Sequence, residues 1–276
     1  MNVSVVGLGL IGGSFALSLK KNFPSWEICG YDKNSDHEKE ALKLGLVDRV
    51  VTFEECKKSD VIILAIPVEG IISVLNQLKD IDSDTTIIDL GSTKEKIVKN
   101  TPQQIRKNLV ASHPMAGTEK TGPSSAFDTL FEQKTVVLCD TKSSSKLHLK
   151  RAEEIFKKIG MHIVYMDDPS EHDLHAGYIS HLPHAISFAL ANSVLKQEDP
   201  KSILALASGG FRDMSRIAKS SPAMWSDIFK QNKKNLLTTL DSFEKELQHF
   251  RKLVEQDNWE ELQKWMSEAN LLHNIL

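Results

Sequence analysis

Val3-Ser4-Val5-Val6-Gly7-Leu8-Gly9-Leu10-Ile11-Gly12-Gly13-Ser14 is the stretch whose reading decides the fold. Residues 3–6 read as a short apolar strand, and Phe15-Ala16-Leu17-Ser18-Leu19 reads as a helix. Between them lies G-x-G-x-x-G in the context it requires, strand before and helix after. Gly7 permits the tight turn, Gly9 lets backbone approach a pyrophosphate, and Gly12 lets helix and strand pack closely. The free amides of the helix start, at Leu10, Ile11 and Gly12, then face phosphate oxygens. A second strand, Glu27–Tyr31, ends at Asp32, which is 32 − 12 = 20 residues past the third glycine. A carboxylate at that spacing grips the ribose hydroxyls and repels a 2′-phosphate. These residues predict a dinucleotide site that takes NAD in preference to NADP.

The pattern continues outward as strand and helix units. Residues 61–66 form an apolar strand stopped by Pro67. Ala65 and Pro67 stand at its carboxyl end, either beside the cofactor's ribose or simply as a buried strand and its turn proline. Residues 86–90 form the next strand, followed by Gly91-Ser92-Thr93-Lys94-Glu95. Ser92 and Glu95 spell S-x-x-E, a capping box for the next helix. The Ser92 hydroxyl also stands where cofactor and substrate meet. Two more strands, Thr135–Cys139 and His162–Met166, flank a helix over 146–159. The alternation predicts an α/β fold with a doubly wound parallel sheet over residues 1–167. Asp168, Pro169 and Glu171 then start a helix as N-cap, N1 and N3, expected to run toward Leu195 with a bend at Pro183. No convincing strand follows, so residues 168–276 are expected to be an all-α second domain.

Three polar constellations suggest chemistry. Residues 108–111 read as a strand end that opens into Ser112-His113-Pro114-Met115-Ala116-Gly117-Thr118-Glu119, and strand ends are where α/β folds place their sites. His113 is either a proton acceptor working near neutral pH or a turn cap. His172, His175, His181 and His184 share the long helix. No zinc signature such as H-E-x-x-H accompanies them, so no metal is expected. His181 and His184 are better suited to substrate contact. In Ser208-Gly209-Gly210-Phe211-Arg212-Asp213-Met214-Ser215-Arg216 the two arginines stand at i and i+4, either lining a carboxylate site or forming a surface ion-pair face. The Gly209-Gly210 entrance and nearby Trp225 favour the site. Beyond it, Leu236, Leu240, Phe243, Leu247, Phe250 and Val254 repeat at spacings of four and three, a seam for another helix of this chain or of a second copy.

Composition excludes several classes. The 276 residues are 41% hydrophobic and 26% charged, ordinary for a globular protein. A net charge of −3 offers nothing to nucleic acid or an anionic membrane. Three cysteines, an odd number without metal-type spacing, fit a reducing cytoplasm. The apolar N-terminus lacks a basic leader and is broken by glycines, so neither a signal peptide nor a membrane span is expected.

Taken together, Gly7-x-Gly9-x-x-Gly12-Gly13-Ser14, Asp32, Gly91-Ser92-Thr93-Lys94, Ser112-His113-Pro114-Met115-Ala116-Gly117-Thr118-Glu119, Ser180-His181-Leu182-Pro183-His184 and Gly209-Gly210-Phe211-Arg212-Asp213-x-x-Arg216 resemble the prephenate dehydrogenase family. The glycine motif is shared widely; the histidine and arginine segments are far more specific. The resemblance implies NAD-dependent oxidative decarboxylation of prephenate to 4-hydroxyphenylpyruvate, on the route to tyrosine. It implies His113 as the base, with Ser92 hydrogen-bonding the same ring hydroxyl and orienting His113 beside the cofactor. Arg216 would hold a substrate carboxylate and His181 would meet the pyruvyl side chain. Thr118 and Glu119 resemble an entrance gate, Arg212, Asp213, Gly209 and His184 complete the substrate side, and Trp225 would reach a neighbouring subunit's site. A homodimer through the helical domain is expected, with neither a fused mutase-like segment nor an added regulatory domain. The alternatives are arogenate as substrate, a β-hydroxyacid dehydrogenase, or a dinucleotide sensor without turnover. Residues 178–190 lack the helix lysine that β-hydroxyacid dehydrogenases use as acid/base.

Overall fold

β1 (Asn2–Val6), α1 (Leu10–Asn22) and β2 (Glu27–Tyr31) form the first parallel unit. There follow α2 (Ser35–Lys43), β3 (Arg49–Val50), α3 (Phe53–Cys56), β4 (Val61–Leu64), α4 (Val68–Gln77), β5 (Thr86–Asp89), α5 (Glu95–Lys99) and β6 (Leu109–Pro114). β7 (Thr135–Cys139), α6 (Lys146–Lys158) and β8 (His162–Met166) complete one eight-stranded sheet in the order β3-β2-β1-β4-β5-β6-β7-β8. The computed structural model describes residues 1–275.

Alternation along the strands sends side chains to both faces of the sheet. Val3, Val5, Val61 and Ile63 pack with α1 and α6 on one face, where Phe15 meets Phe131 and Phe156 edge-on. Val6, Ile62 and Leu64 pack with α4 and α5 on the other. Burial on both faces explains the near-continuous apolar strands.

Two features depart from the sequence reading. β6 does not end at Ala111 but runs on through His113 to Pro114, so the histidine belongs to a strand. β7 then pairs with β6 antiparallel, and β8 is parallel to β7, so the sheet is mostly rather than wholly parallel. The reason lies in the 115–134 connection, which holds only a 3-10 turn at Pro123–Ser125. Parallel pairing needs a crossover, usually a helix, and none is there. The connection instead returns across α1, where Phe127 N donates to Ser14 Oγ at 3.1 Å.

Asp168 caps α7 (Pro169–Ala176) by accepting from the Ser170 amide. A π-helical turn, Gly177–His181, joins it to α8 (Leu182–Leu195). The irregularity thus precedes Pro183, which sits harmlessly in the first turn of α8, where its missing N–H costs nothing. α9 (Pro200–Ala205), α10 (Gly209–Ser215) and α11 (Pro222–Gln231) follow. Residues 1–232 form one compact unit and Lys233 onward a second. The second unit is α12 (Lys233–Glu255) and α13 (Trp259–Ala269), joined where Trp265 meets Phe250 at 6.0 Å and donates to Glu246 at 3.0 Å. Of the seam, Leu247, Phe250 and Val254 remain 53%, 38% and 36% exposed, so α13 covers it only in part. No helix among the described residues is long and apolar enough to cross a membrane.

Candidate active site

β1, β4, β5 and β6 are mutually parallel and bring their carboxyl ends to one edge. The chain order reverses between β1 and β4, the switch point where open α/β sheets bind ligands.

At that point the backbone turns through Gly7 at φ +95°, a left-handed conformation that side chains rarely adopt. A Cβ on Gly12 would lie 1.8 Å from Gly7 O, so helix and loop touch there. At Gly9, by contrast, nothing lies within 4 Å of where a Cβ would stand. No side chain caps α1, which leaves the first-turn amides of Leu10, Ile11 and Gly12 without intrahelical partners. Asp32, at the end of β2, accepts from the Leu8 amide at 2.8 Å and the Asn34 amide at 2.9 Å, which fixes it beside the loop. The open side at Gly9 and the uncapped amides fit a pyrophosphate, and Asp32 fits a ribose. Ala65 packs against this loop, 3.0 Å from the Gly12 position, while Pro67 is the exposed N-cap of α4.

His113 stands at the carboxyl end of β6, about 14 Å along the edge at the usual strand spacing. Beneath it Lys94 is fully buried, pairs with buried Asp89 and donates to Ser112 O at 2.7 Å. His113 Nδ1 lies 2.9 Å from His172 Nε2, and His172 Nδ1 lies 2.8 Å from Asp173 Oδ1. Asn232 donates to Asp173 O at 2.6 Å and stands 3.0 Å from His181 Nδ1. An amide nitrogen only donates, so neutral His181 carries its own proton on Nε2. Burial, with the Lys94 ammonium nearby, holds His113 well below the ordinary histidine value. Burial likewise lowers His181 to about 4. Both rings are neutral at pH 7.

Beyond the histidines, His184 stacks on Trp225 at 3.6 Å and accepts no charge readily, since burial and nearby Arg216 lower its pKa. Arg216 also faces Glu119 at 3.7 Å, so the 113–119 segment and the end of α10 meet. Trp225 Nε1, and Thr93 Oγ1 next to Ser92, are buried with no hydrogen-bond partner among the described residues.

Several expectations need correction. The Ser92 capping box does not form: α5 begins at Glu95, and its first amides are capped by Asp173 from α7. The Ser92 hydroxyl is thereby free of that duty and has no protein partner among the described residues. Trp225 is buried in its own chain against His184, at 5% exposure. Arg212 donates to Ala207 O behind its own helix, Asp213 and Gly209 are exposed, and Arg216 faces Glu119. Thr118 is exposed and caps its own turn at Lys120 N. His172, Asp173 and Asn232 escape sequence reasoning. Their partners on other elements lie 51 to 79 residues away, and no local spacing marks such a pairing.

A neutral imidazole on the same sheet edge as a dinucleotide loop equips a protein to take hydride and proton from a hydroxyl-bearing carbon, the work of a nucleotide-dependent oxidoreductase. Comparison with known proteins narrows the class. The nucleotide-binding domain of prephenate dehydrogenase matches residues 15–165, and its dimerization domain matches residues 168–268. The chain belongs to the prephenate dehydrogenase family. It is 37% identical over 274 residues to the prephenate dehydrogenase of Bacillus subtilis, spanning 97% of this chain and 74% of that one. A crystal structure of prephenate dehydrogenase from A. aeolicus, in complex with hydroxyphenyl propionate and NAD+, superposes with a TM-score of 0.92 at 36% identity, covering 99% of this chain and 97% of that one. Synechocystis arogenate dehydrogenase superposes at 0.81 with 27% identity, each chain covered to 99%.

Proposed function

We propose that the chain catalyses the NAD-dependent oxidative decarboxylation of prephenate to 4-hydroxyphenylpyruvate, as a cytoplasmic step of tyrosine biosynthesis. The observation that carries this reading is the neutral His113, hydrogen-bonded through His172 to Asp173, on the edge where Gly7–Gly12 and Asp32 form a dinucleotide cradle. NAD, bound along Gly7, Gly9, Leu10, Ile11, Gly12 and Asp32 with Ala65, Pro67 and Ser92 on its far side, supplies the hydride acceptor. His113 Nε2 takes the ring hydroxyl's proton as the carbonyl develops. When carbon dioxide leaves, its bonding electrons complete the aromatic ring, and His113 returns the proton to the phenolate oxygen. Ser92 donates to the same oxygen and steadies it against His113. Arg216 holds a substrate carboxylate, with Glu119 and Thr118 at the entrance. His181 presents Nε2–H to the side chain, and His184 on Trp225 walls the pocket. Arg212, Asp213 and Gly209 stand further out on the substrate side.

The same reading assigns residues 1–167 to the cofactor and 168–276 to substrate and to dimerisation, with the exposed Leu247, Phe250 and Val254 facing a second copy. Prephenate is preferred to arogenate on the strength of the 36–37% identical relatives. Measuring NADH formation with each substrate tests the proposal. NADH with prephenate at neutral pH is expected; absence of a signal at any pH sinks the reading, and a signal with arogenate alone reassigns it. Sedimentation of the purified protein is expected to give twice the chain mass.

A further inference from the structure

The carboxylate of Asp173 anchors a file of hydrogen bonds that ends at His113. Its Oδ1 accepts the Lys94 amide at 2.7 Å, and its Oδ2 accepts the Glu95 amide at 3.0 Å. The same Oδ1 faces His172 Nδ1 at 2.8 Å, and His172 Nε2 faces His113 Nδ1 at 2.9 Å. Asp173 and His172 are 2% and 3% exposed, so water does not compete for these bonds.

Donor and acceptor roles follow along the file. Two amides already donate to Asp173, so it acts as an acceptor and His172 Nδ1 must bring the proton. A neutral His172 then has a bare Nε2, which accepts from His113 Nδ1–H. A neutral His113 with its proton on Nδ1 has a bare Nε2. We propose that His172 and Asp173 are positioning residues that hold His113 in the Nδ1–H tautomer, leaving Nε2 free to take the substrate's hydroxyl proton. The proposal deepens the reading of His113 as the base and rests on it. When that proton arrives at Nε2, the Nδ1–H bond to His172 becomes charge-assisted and strengthens, which favours the protonated ring at the moment it forms. Capping α5 with the same carboxylate ties the file to the Ser92 segment, so base and hydroxyl donor are set by one group.

The experiment reads the tautomer directly. Two-bond proton–nitrogen correlations on protein labelled with 15N-histidine report which ring nitrogen of His113 bears the proton, without reference to activity. The wild type is expected to show Nδ1–H. In Asp173→Asn the side chain can no longer accept from the Lys94 and Glu95 amides and from His172 together, which loosens the file. His113 then samples both tautomers and kcat falls, with KM little changed. Because Asp173 also caps α5, a second pair of variants leaves it in place. His172→Phe is expected to mix the His113 tautomers and lower kcat. In His172→Gln the amide oxygen accepts from His113, so Nδ1–H and most of kcat are retained. A wild-type His113 protonated on Nε2, or a His172→Phe variant with the wild-type tautomer and kcat, overturns the proposal. Failure of the base assignment looks different: His113→Asn would keep its kcat while the tautomer pattern in the wild type stood unchanged.

Discussion

Lys94 and Asp89 form an ion pair with neither side chain exposed, and the same ammonium donates to the carbonyl of Ser112, the residue before His113. The pair clamps β5 to β6 directly under the base. Asp89 also accepts the Gly91 amide, so its charge is well occupied. Removing one partner of a buried pair strands the other, at a cost of about 3–5 kcal/mol. Lys94→Met is therefore expected to lower stability by that amount in denaturant unfolding, and Lys94→Met with Asp89→Asn to recover much of it. A Lys94→Met protein as stable as the wild type would deny the pair its structural role.

Removing the base should leave binding intact. His113→Asn is expected to lower kcat by about 10²-fold or more, with little change in KM, because a base acts in the transition state. In the wild type, burial places the His113 pKa well below 6.5. Activity needs the neutral ring, so kcat/KM is expected to hold level from pH 8 down past 6.5 before its acid limb begins. An acid limb centred at or above 6.5 would mean that this imidazole is not the group being titrated.

The two arginines of α10 separate cleanly. Arg216 faces Glu119 and His184, whereas Arg212 turns back to Ala207. A charge-assisted hydrogen bond contributes about 1.5–3 kcal/mol, so Arg216→Ala should raise KM about 10- to 100-fold and Arg212→Ala hardly at all. The reverse order in steady-state kinetics would exchange their roles.

Gly12→Ala should abolish the cofactor site. Its Cβ would overlap Gly7 O at 1.8 Å, far inside contact distance and against backbone that has no slack. Calorimetric titration with NAD is expected to show no binding, and the melting temperature to fall. Normal NAD affinity in this variant would remove the loop from the site.

The folded state also carries a pH signature through His181. Its pKa of about 4 means that the unfolded chain binds a proton from about pH 6.5 downward, while the folded chain does not. Stability from this group is complete above 6.5 and is lost as pH falls toward 4, by about 3 kcal/mol from the 2.5-unit gap. His181→Gln should flatten the stability–pH curve in that window; an unchanged slope would assign the loss to carboxylates.

What the chain's letters reveal depends on the range of the interaction. The turn at Gly7, the first four long strands and the Asp168-Pro169 helix start rest on neighbours in sequence, and the structure places each where the sequence reading put it. The direction of β7 depends on the absence of a crossover helix, which a polar 20-residue connection does not announce. Ser92 and Glu95 form a valid local cap on paper, but Asp173, some 80 positions away, supplies stronger acceptors and displaces it. The same long-range logic hides His172 behind a row of histidines that differ only in what lies opposite them.

The π-helical turn at Gly177–His181 also sets the phase of everything after it. Nine positions along a regular α-helix make two and a half turns, so His172 and His181 would point in opposite directions. The looser i to i+5 winding turns through less angle per residue, and it brings His181 within reach of Asn232, the same residue that donates to Asp173 O. Excising one amino acid from this turn would let it rewind as regular α-helix with the downstream rod close to its present phase, because five π-helical residues turn about as far as four α-helical ones. The turn thus absorbs one residue more than an α-helix would hold, and it is there that His181 gains its place beside Asn232.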